Sequence, residues 1–138
     1  MSQALDPAAL FSLHGACARG DYEGVLRILE AKADVNAADP AKGGRTPMQI
    51  TCGAGHLDMA KLLLAAGADV DKADEYGVTS LYCACNCGHL NVVKMLLEHG
   101  ADKDNANRLG AAPLHQACVC GHLNVVKVLL APSAFAAP

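Results

Sequence analysis

The sequence of 138 residues contains no long run of one charge and no long apolar run. Eleven Lys and Arg residues stand against fourteen Asp and Glu residues, which gives a net charge of -3. Neither sign gathers into a cluster that could follow a phosphate backbone or an anionic bilayer. The apolar runs are far shorter than the ~18 residues that a membrane-spanning helix needs. We therefore expect neither nucleic acid nor a membrane as a partner.

The N-terminal residues Met1 to Asp6 lack the basic and apolar regions of a secretory signal peptide. We therefore expect a cytoplasmic or nuclear protein. Seven cysteines, an odd number, fit this expectation because thiols stay reduced in those compartments. With 52% apolar and 18% charged residues, the chain suits one continuous core, and we expect one domain.

One segment of the sequence recurs at a fixed interval, which is typical of repeat proteins. Gly88-His89-Leu90-Asn91-Val92-Val93-Lys94 returns unchanged at residues 121–127, 33 positions later. Gly55-His56-Leu57-Asp58 lies 33 positions before Gly88, and Gly20-Asp21-Tyr22-Glu23 lies 35 positions before Gly55. We predict four repeats, at about residues 7–38, 39–73, 74–106 and 107–131, between tails of residues 1–6 and 132–138.

Each repeat contains two helical patterns. After Gly88-His89, the polar residues Asn91, Lys94 and Glu98 are spaced i, i+3 and i+7, which places them on one narrow stripe of a helix. Stacked repeats must bury the other sides of that helix, so the stripe belongs to the convex surface. A shorter helix precedes it and ends at a glycine. Its core positions include the equivalent cysteines Cys17, Cys52, Cys85 and Cys118.

This pattern resembles the ankyrin repeat over roughly residues 7 to 131. Thr46-Pro47-Met48-Gln49, Thr79-Ser80-Leu81-Tyr82 and Ala112-Pro113-Leu114-His115 are degraded copies of the family's Thr-Pro-Leu-His motif, and the Gly-His and Gly-Ala-Asp elements are retained. The resemblance implies an all-α, ankyrin-type helix-turn-helix repeat solenoid with hairpin-like loops between repeats. It also implies a non-catalytic module that binds another protein.

The resemblance further implies which residues face that partner. The family's binding positions lie on a concave surface formed by the first helices and the loops between repeats. In this chain they are Arg45, Glu75, Tyr76, Val78, Asn86, Cys87, Arg108, Leu109, Ala111, Val119 and Cys120. An alternative function remains open, in which the repeats belong to a larger protein and position an enzyme, channel or signalling domain.

The segment Cys85-Asn86-Cys87-Gly88-His89 recurs at residues 118–122 and resembles a duplicated set of metal ligands. Residues i and i+2 of a helix point about 200° apart, so we expect Cys85 to face the core and Cys87 to face the concave surface. The histidines occupy equivalent positions in the repeats, where helix capping and packing explain them. We expect no metal, no cofactor and no enzymatic activity.

The two ends of the repeat array differ in polarity. Repeat 1 carries Asp21, Gly24 and Arg27 where later repeats carry His or apolar residues, which is typical of a capping repeat. Repeat 4 keeps its apolar residues, and Pro132 prevents its last helix from continuing. We expect an apolar end that self-associates end to end, receives further repeats or frays.

Overall fold

The computed structural model describes residues 12–131, and these contain eight α-helices in four consecutive pairs. The first helices of the pairs are α1 (Leu13–Arg19), α3 (Pro47–Ala54), α5 (Ser80–Cys87) and α7 (Pro113–Val119). The second helices are α2 (Tyr22–Glu30), α4 (Leu57–Ala65), α6 (Leu90–Glu98) and α8 (Leu123–Leu130). The expected all-α repeat solenoid is confirmed. The two predicted tails, residues 7–11 and the helix stop at Pro132 lie outside the described residues, and the repeat boundaries stay predictions.

Side chains fix the starts of the first three short helices. Ser12, Thr46 and Thr79 each accept a hydrogen bond from the backbone N–H three residues later, a donor that has no partner inside the helix. Gln49 strengthens the second of these caps, because its side-chain oxygen accepts from the N–H of Thr46 at 3.1 Å. Ala112 stands at the start of α7, where its methyl group offers no acceptor.

The core is one continuous hydrophobic cluster that runs through the stacked pairs. Consecutive first helices pack against one another, and α6 packs against both α4 and α8. Asn91, Lys94 and Glu98 are exposed on α6, whereas Val93 and Leu96 on the same helix are fully buried. The predicted polar stripe on the convex surface is therefore confirmed for this helix.

The expectation that four equivalent cysteines fill core positions is wrong for the last repeat. Cys17, Cys52 and Cys85 are fully buried, but Cys118 is exposed. The first helix of the following repeat packs against each of the helices that carry the three buried thiols. Within residues 12–131, α7 has no such neighbour on its outer side, so the same local sequence leaves its thiol in contact with solvent.

The histidines at the starts of the second helices do not act as helix caps within residues 12–131, so the capping part of that expectation is wrong. His56, His89 and His122 occupy the cap positions of α4, α6 and α8, but their side chains make no cap hydrogen bond. The Nε2–H groups of His89 and His122 instead donate to the carbonyl oxygens of Gly53 and Asn86, each at 3.0 Å. These two side chains therefore join the third repeat to the second and the fourth repeat to the third.

Candidate protein-binding surface

Finger loops at residues 39–45, 74–78 and 107–111 project between the repeats. In the second finger, the Asp74 Oδ1 atom accepts hydrogen bonds from the N–H groups of Tyr76 at 2.9 Å and Val78 at 3.0 Å. In the third, the Asn107 side chain accepts from the corresponding N–H groups at the same two distances. Because these contacts lie inside each loop, the fingers hold their shape without a partner.

Backbone hydrogen bonds also join neighbouring fingers. The N–H of Glu75 donates to the carbonyl oxygen of Gly43, and the N–H of Arg108 donates to that of Tyr76, both at 2.9 Å. The ring of Tyr76 lies against Gly43, where a methyl group would come within 2.6 Å of a ring carbon. Tyr76 is therefore held in place although 62% of its surface remains exposed.

A groove of about 650 Å³ lies between α3 and α5, under the finger loops at residues 39–45 and 74–78. Five of the residues predicted to bind a partner line this groove. They are Arg45, Tyr76, Val78, Asn86 and Cys87. Sequence reasoning missed other residues that line it. They include Lys42, Gln49, Ile50, Gly53, Tyr82 and Cys83.

The floor of the groove is held by Gln49, which is buried. Its side-chain nitrogen donates to the carbonyl oxygen of Val78 at 3.0 Å and to the Asp74 carboxylate at 3.2 Å. Gly53 also lines the groove and adds no side chain to it, whereas the equivalent positions in the next two repeats carry Asn86 and Val119. Comparison of the repeats with one another was the signal that could have identified this position.

A polar network continues the concave surface from the third repeat to the fourth. The Tyr82 hydroxyl donates to the side-chain oxygen of Gln116 at 3.0 Å, and the Gln116 side-chain nitrogen donates to the Asn86 side chain at 2.7 Å. The Cys120 thiol donates to the same Asn86 oxygen at 3.5 Å. These contacts link α5 to α7 and fix the position of Asn86 at the edge of the groove.

The other predicted binding residues lie outside the lining of the groove. Leu109 and Val119 are strongly exposed, with 93% and 67% of their surfaces accessible. Ala111 is half-buried in the third finger. The remaining residues of this group are all exposed: Glu75, Arg108 and Cys120. The structure thus divides the predicted surface into a groove and a set of projecting side chains beside it.

The thiols of Cys83 and Cys85 are suited to packing rather than to reaction. Burial raises the pKa of Cys83 to about 11, although the nearby Arg45 guanidinium acts in the opposite direction. Burial raises the pKa of Cys85 to about 12. Both side chains are therefore neutral thiols at physiological pH and poor nucleophiles. Cys85 is buried and Cys87 is exposed, as predicted.

Within residues 12–131, no group of three or more His, Cys, Asp or Glu side chains is arranged to hold a metal ion. In the same part of the chain, none of the helices is both long enough and apolar enough to cross a membrane.

Comparisons with known proteins agree with this architecture. A family model described as ankyrin repeats (3 copies) matches residues 13–107, and another, described as ankyrin repeats (many copies), matches residues 88–130. Protein phosphatase 1 regulatory subunit 27 of Homo sapiens is 36% identical over 73 residues, which are 53% of this chain and 46% of that protein.

Two further relatives are much longer than the matched segment. B-cell lymphoma 3 protein homolog of Mus musculus is 38% identical over 73 residues, which are 53% of this chain and 16% of that protein. Potassium channel KOR1 of Oryza sativa subsp. japonica is 44% identical over 66 residues, which are 48% of this chain and 8% of that protein. The matched segment thus spans less than half the length of each of these relatives.

Proposed function

This chain belongs to the ankyrin repeat family, and from that membership we propose that it binds another protein through its concave surface and carries out no catalysis. Ankyrin repeats are general protein-interaction modules, and the concave surface is the part of this chain that would contact the partner. The observation that carries it is the groove of about 650 Å³ beneath the finger that presents Tyr76.

The backbone of the concave surface is already ordered before a partner binds. Internal hydrogen bonds shape the fingers, backbone bonds join them, and Gly43 supports the ring of Tyr76. A partner therefore meets a finger backbone and a Tyr76 ring that are already held in place, which lowers the entropy cost of binding. Tyr and Arg are the residue types that most often dominate binding energy, and Tyr76, Arg45 and Arg108 are all exposed here.

The test compares two double variants of the whole chain in capture of proteins from a cell lysate. Replacing Tyr76 and Arg108 with Ala should reduce capture at least about tenfold, because a truncated interface anchor typically loses more than 1 kcal/mol. The control replaces the exposed Asn91 and Lys127 of the convex side with Ala. Circular dichroism should stay helical for both variants, and equal loss of capture from the control would contradict the proposal.

Protein phosphatase 1 is a suitable purified probe in the same assay, because one relative is named as a regulatory subunit of that enzyme. Binding that depends on Tyr76 and Arg108 would identify a first partner. Failure of this probe alone would reject that partner and would leave the lysate comparison to decide whether the concave surface is used.

A second proposed function is that the repeats position an enzyme, channel or signalling domain of a larger protein. Similarity to a segment that makes up 8% of a potassium channel favours this alternative. Immunoblotting of the source cells with an antibody against this chain distinguishes the two. A band much larger than expected for 138 residues supports the second proposal, and a band of the expected size supports the first.

A further inference from the structure

Each of the first three repeats ends its first helix at a glycine that faces a histidine of the next repeat. The pairs are Gly20 with His56, Gly55 with His89, and Gly88 with His122. A methyl group built on these glycines would lie 3.1, 2.7 and 2.6 Å, respectively, from a nitrogen of the facing ring. The missing side chain therefore leaves a notch that admits an imidazole, and a larger residue would displace that ring.

The notch is accompanied by a hydrogen-bond acceptor. The Nε2–H of His89 donates to the carbonyl oxygen of Gly53, two residues before Gly55. The Nε2–H of His122 donates to the carbonyl oxygen of Asn86, two residues before Gly88. A notch and a carbonyl oxygen two residues before it together select a flat side chain that carries an N–H donor.

A fourth copy of this arrangement stands open at the end of the array. Gly121 has φ +75°, the same value as Gly88, and nothing in the described part of the chain lies within 4 Å of a methyl group built on it. The equivalent acceptor is the carbonyl of Val119. The exposed thiol of Cys118 lies at the position where Cys52 and Cys85 are buried.

Apolar side chains extend this surface along α8. Leu123 and Leu130 are 69% and 64% exposed, whereas the equivalent Leu90 and Leu97 of the preceding repeat are only half-exposed. We use the term end face for the surface formed by Cys118, Val119, Gly121, Leu123 and Leu130. It continues the series of interfaces between repeats, so those internal interfaces indicate what covers it.

We propose that the end face binds an ankyrin-type repeat of another polypeptide, whose second helix begins with Leu directly after a Gly-His pair. The histidine of that repeat fills the notch at Gly121 and donates its Nε2–H to the carbonyl oxygen of Val119. Its first helix covers Cys118, and its second helix covers Leu123 and Leu130. This site lies at the end of the solenoid and is independent of the concave surface.

A second copy of this chain, stacked head to tail, does not meet these requirements. Its first repeat carries Asp21 at the position of the histidine, and a carboxylate has no proton to donate to the Val119 carbonyl. Residues 132–138 do not continue the repeat pattern either, since Ser133 and Phe135 stand where the preceding repeat has Gly100 and Asp102. Neither a second copy of this chain nor residues 132–138 therefore supplies the docking repeat.

The experiment presents one such repeat to the full chain at high effective concentration. The chain is extended by a flexible Gly-Ser linker of about 20 residues and then by a second copy of residues 99–131, so that the linker does not dictate how the copy docks. The cysteine equivalent to Cys118 is replaced with Ser in the added copy. The rate of alkylation of Cys118 in the chain itself is then followed by mass spectrometry of its peptide.

Docking should slow alkylation of Cys118 at least about tenfold, because the thiol becomes covered as Cys85 is. Replacing the histidine of the added copy that is equivalent to His122 with Ala should restore fast alkylation. In the chain, Gly121→Ala should do the same, whereas Gly100→Ala should not. The two glycines are matched, since φ is +75° and +84° and a methyl group on either meets nothing within 4 Å in the described chain.

An unchanged alkylation rate would overturn the proposal. So would slowing that survives both Gly121→Ala and replacement of the added copy's histidine that is equivalent to His122. Two further results would overturn it by identifying another occupant. Protection of Cys118 that rises with concentration of the unextended chain would identify a second copy. Protection at every dilution that disappears when residues 132–138 are removed would identify that segment.

Discussion

The imidazole of His122 lies against the backbone of Gly88, and its Nε2–H donates to the carbonyl oxygen of Asn86 at 3.0 Å. This contact joins the third and fourth repeats through a ring that fits only where a side chain is missing. Because the same contact is absent at Gly121 within the described residues, the chain contains its own internal comparison for the energy of the contact.

Gly88→Ala should destabilise the chain more than Gly121→Ala. Both residues have φ +75°, so each substitution introduces left-handed strain of about 1 kcal/mol. At Gly88 the new methyl group also displaces the ring of His122 and weakens a hydrogen bond worth about 0.5–1.5 kcal/mol. Urea unfolding should show the difference in free energy of unfolding. Equal losses would mean that the ring contributes nothing to stability.

Lys32→Gly should raise the melting temperature. Lys32 has φ +69° and occupies the position of Gly67 and Gly100, so removing its Cβ relieves about 1 kcal/mol of strain. Lys61→Gly is the matched control, because it removes the same side chain from an exposed site inside α4 and should lower stability by about 1 kcal/mol. An unchanged or lower melting temperature for Lys32→Gly would show that the first repeat turns differently.

The chain should lose stability between pH 9 and pH 12, in part through Cys85. Burial raises the pKa of this thiol from 9.0 to about 12, so in that window it ionises in the unfolded chain and stays protonated in the folded one. The free energy of unfolding therefore falls as the pH rises above 9 and is unaffected by this group below it. Cys85→Ala should flatten the fall in denaturant titrations. Cys118→Ala, at an exposed site, should leave it unchanged, and identical slopes for the two variants would contradict the assignment.

Protein purified without added metal should contain seven reduced thiols and no bound zinc. Cys85 faces the core and Cys87 faces solvent, so these two side chains cannot reach one ion. Elemental analysis and thiol titration in denaturant check both statements. Stoichiometric zinc that disappears when Cys87 and Cys120 are replaced with Ser would show that a site assembles on the concave surface.

Hydrogen exchange should be faster in α8 (Leu123–Leu130) than in α6 (Leu90–Glu98) in dilute protein. Helix α6 packs between two neighbouring second helices, whereas α8 packs against only one in the described chain. Local opening therefore exposes fewer contacts in α8 and requires less free energy. Equal protection of the two helices at the lowest workable concentration would show that the end face is covered or intrinsically stable.

The repeat period, the helix pairs and the polar stripe could be predicted because each depends on residues close in sequence. Asn91, Lys94 and Glu98 share a face through helix geometry alone, and the opposite orientations of Cys85 and Cys87 follow from the same geometry. The exposure of the finger residue Tyr76 was also predicted. The groove beside it was not, because its lining combines Gly53 with finger residues such as Tyr76 that are distant in sequence.

The sequence by itself determined that the chain forms stacked helix pairs, since a 33-residue period with helical spacing of apolar residues permits no other burial of those residues. Only the tertiary structure decided what happens to identical local motifs at different positions. Cys85 and Cys118 occupy equivalent positions, yet one is buried and the other is exposed. His89 and His122 each fill a notch in the preceding repeat, whereas the notch at Gly121 is open in the described chain. Burial is a property of the neighbour that covers a residue, and no local pattern records whether that neighbour is present.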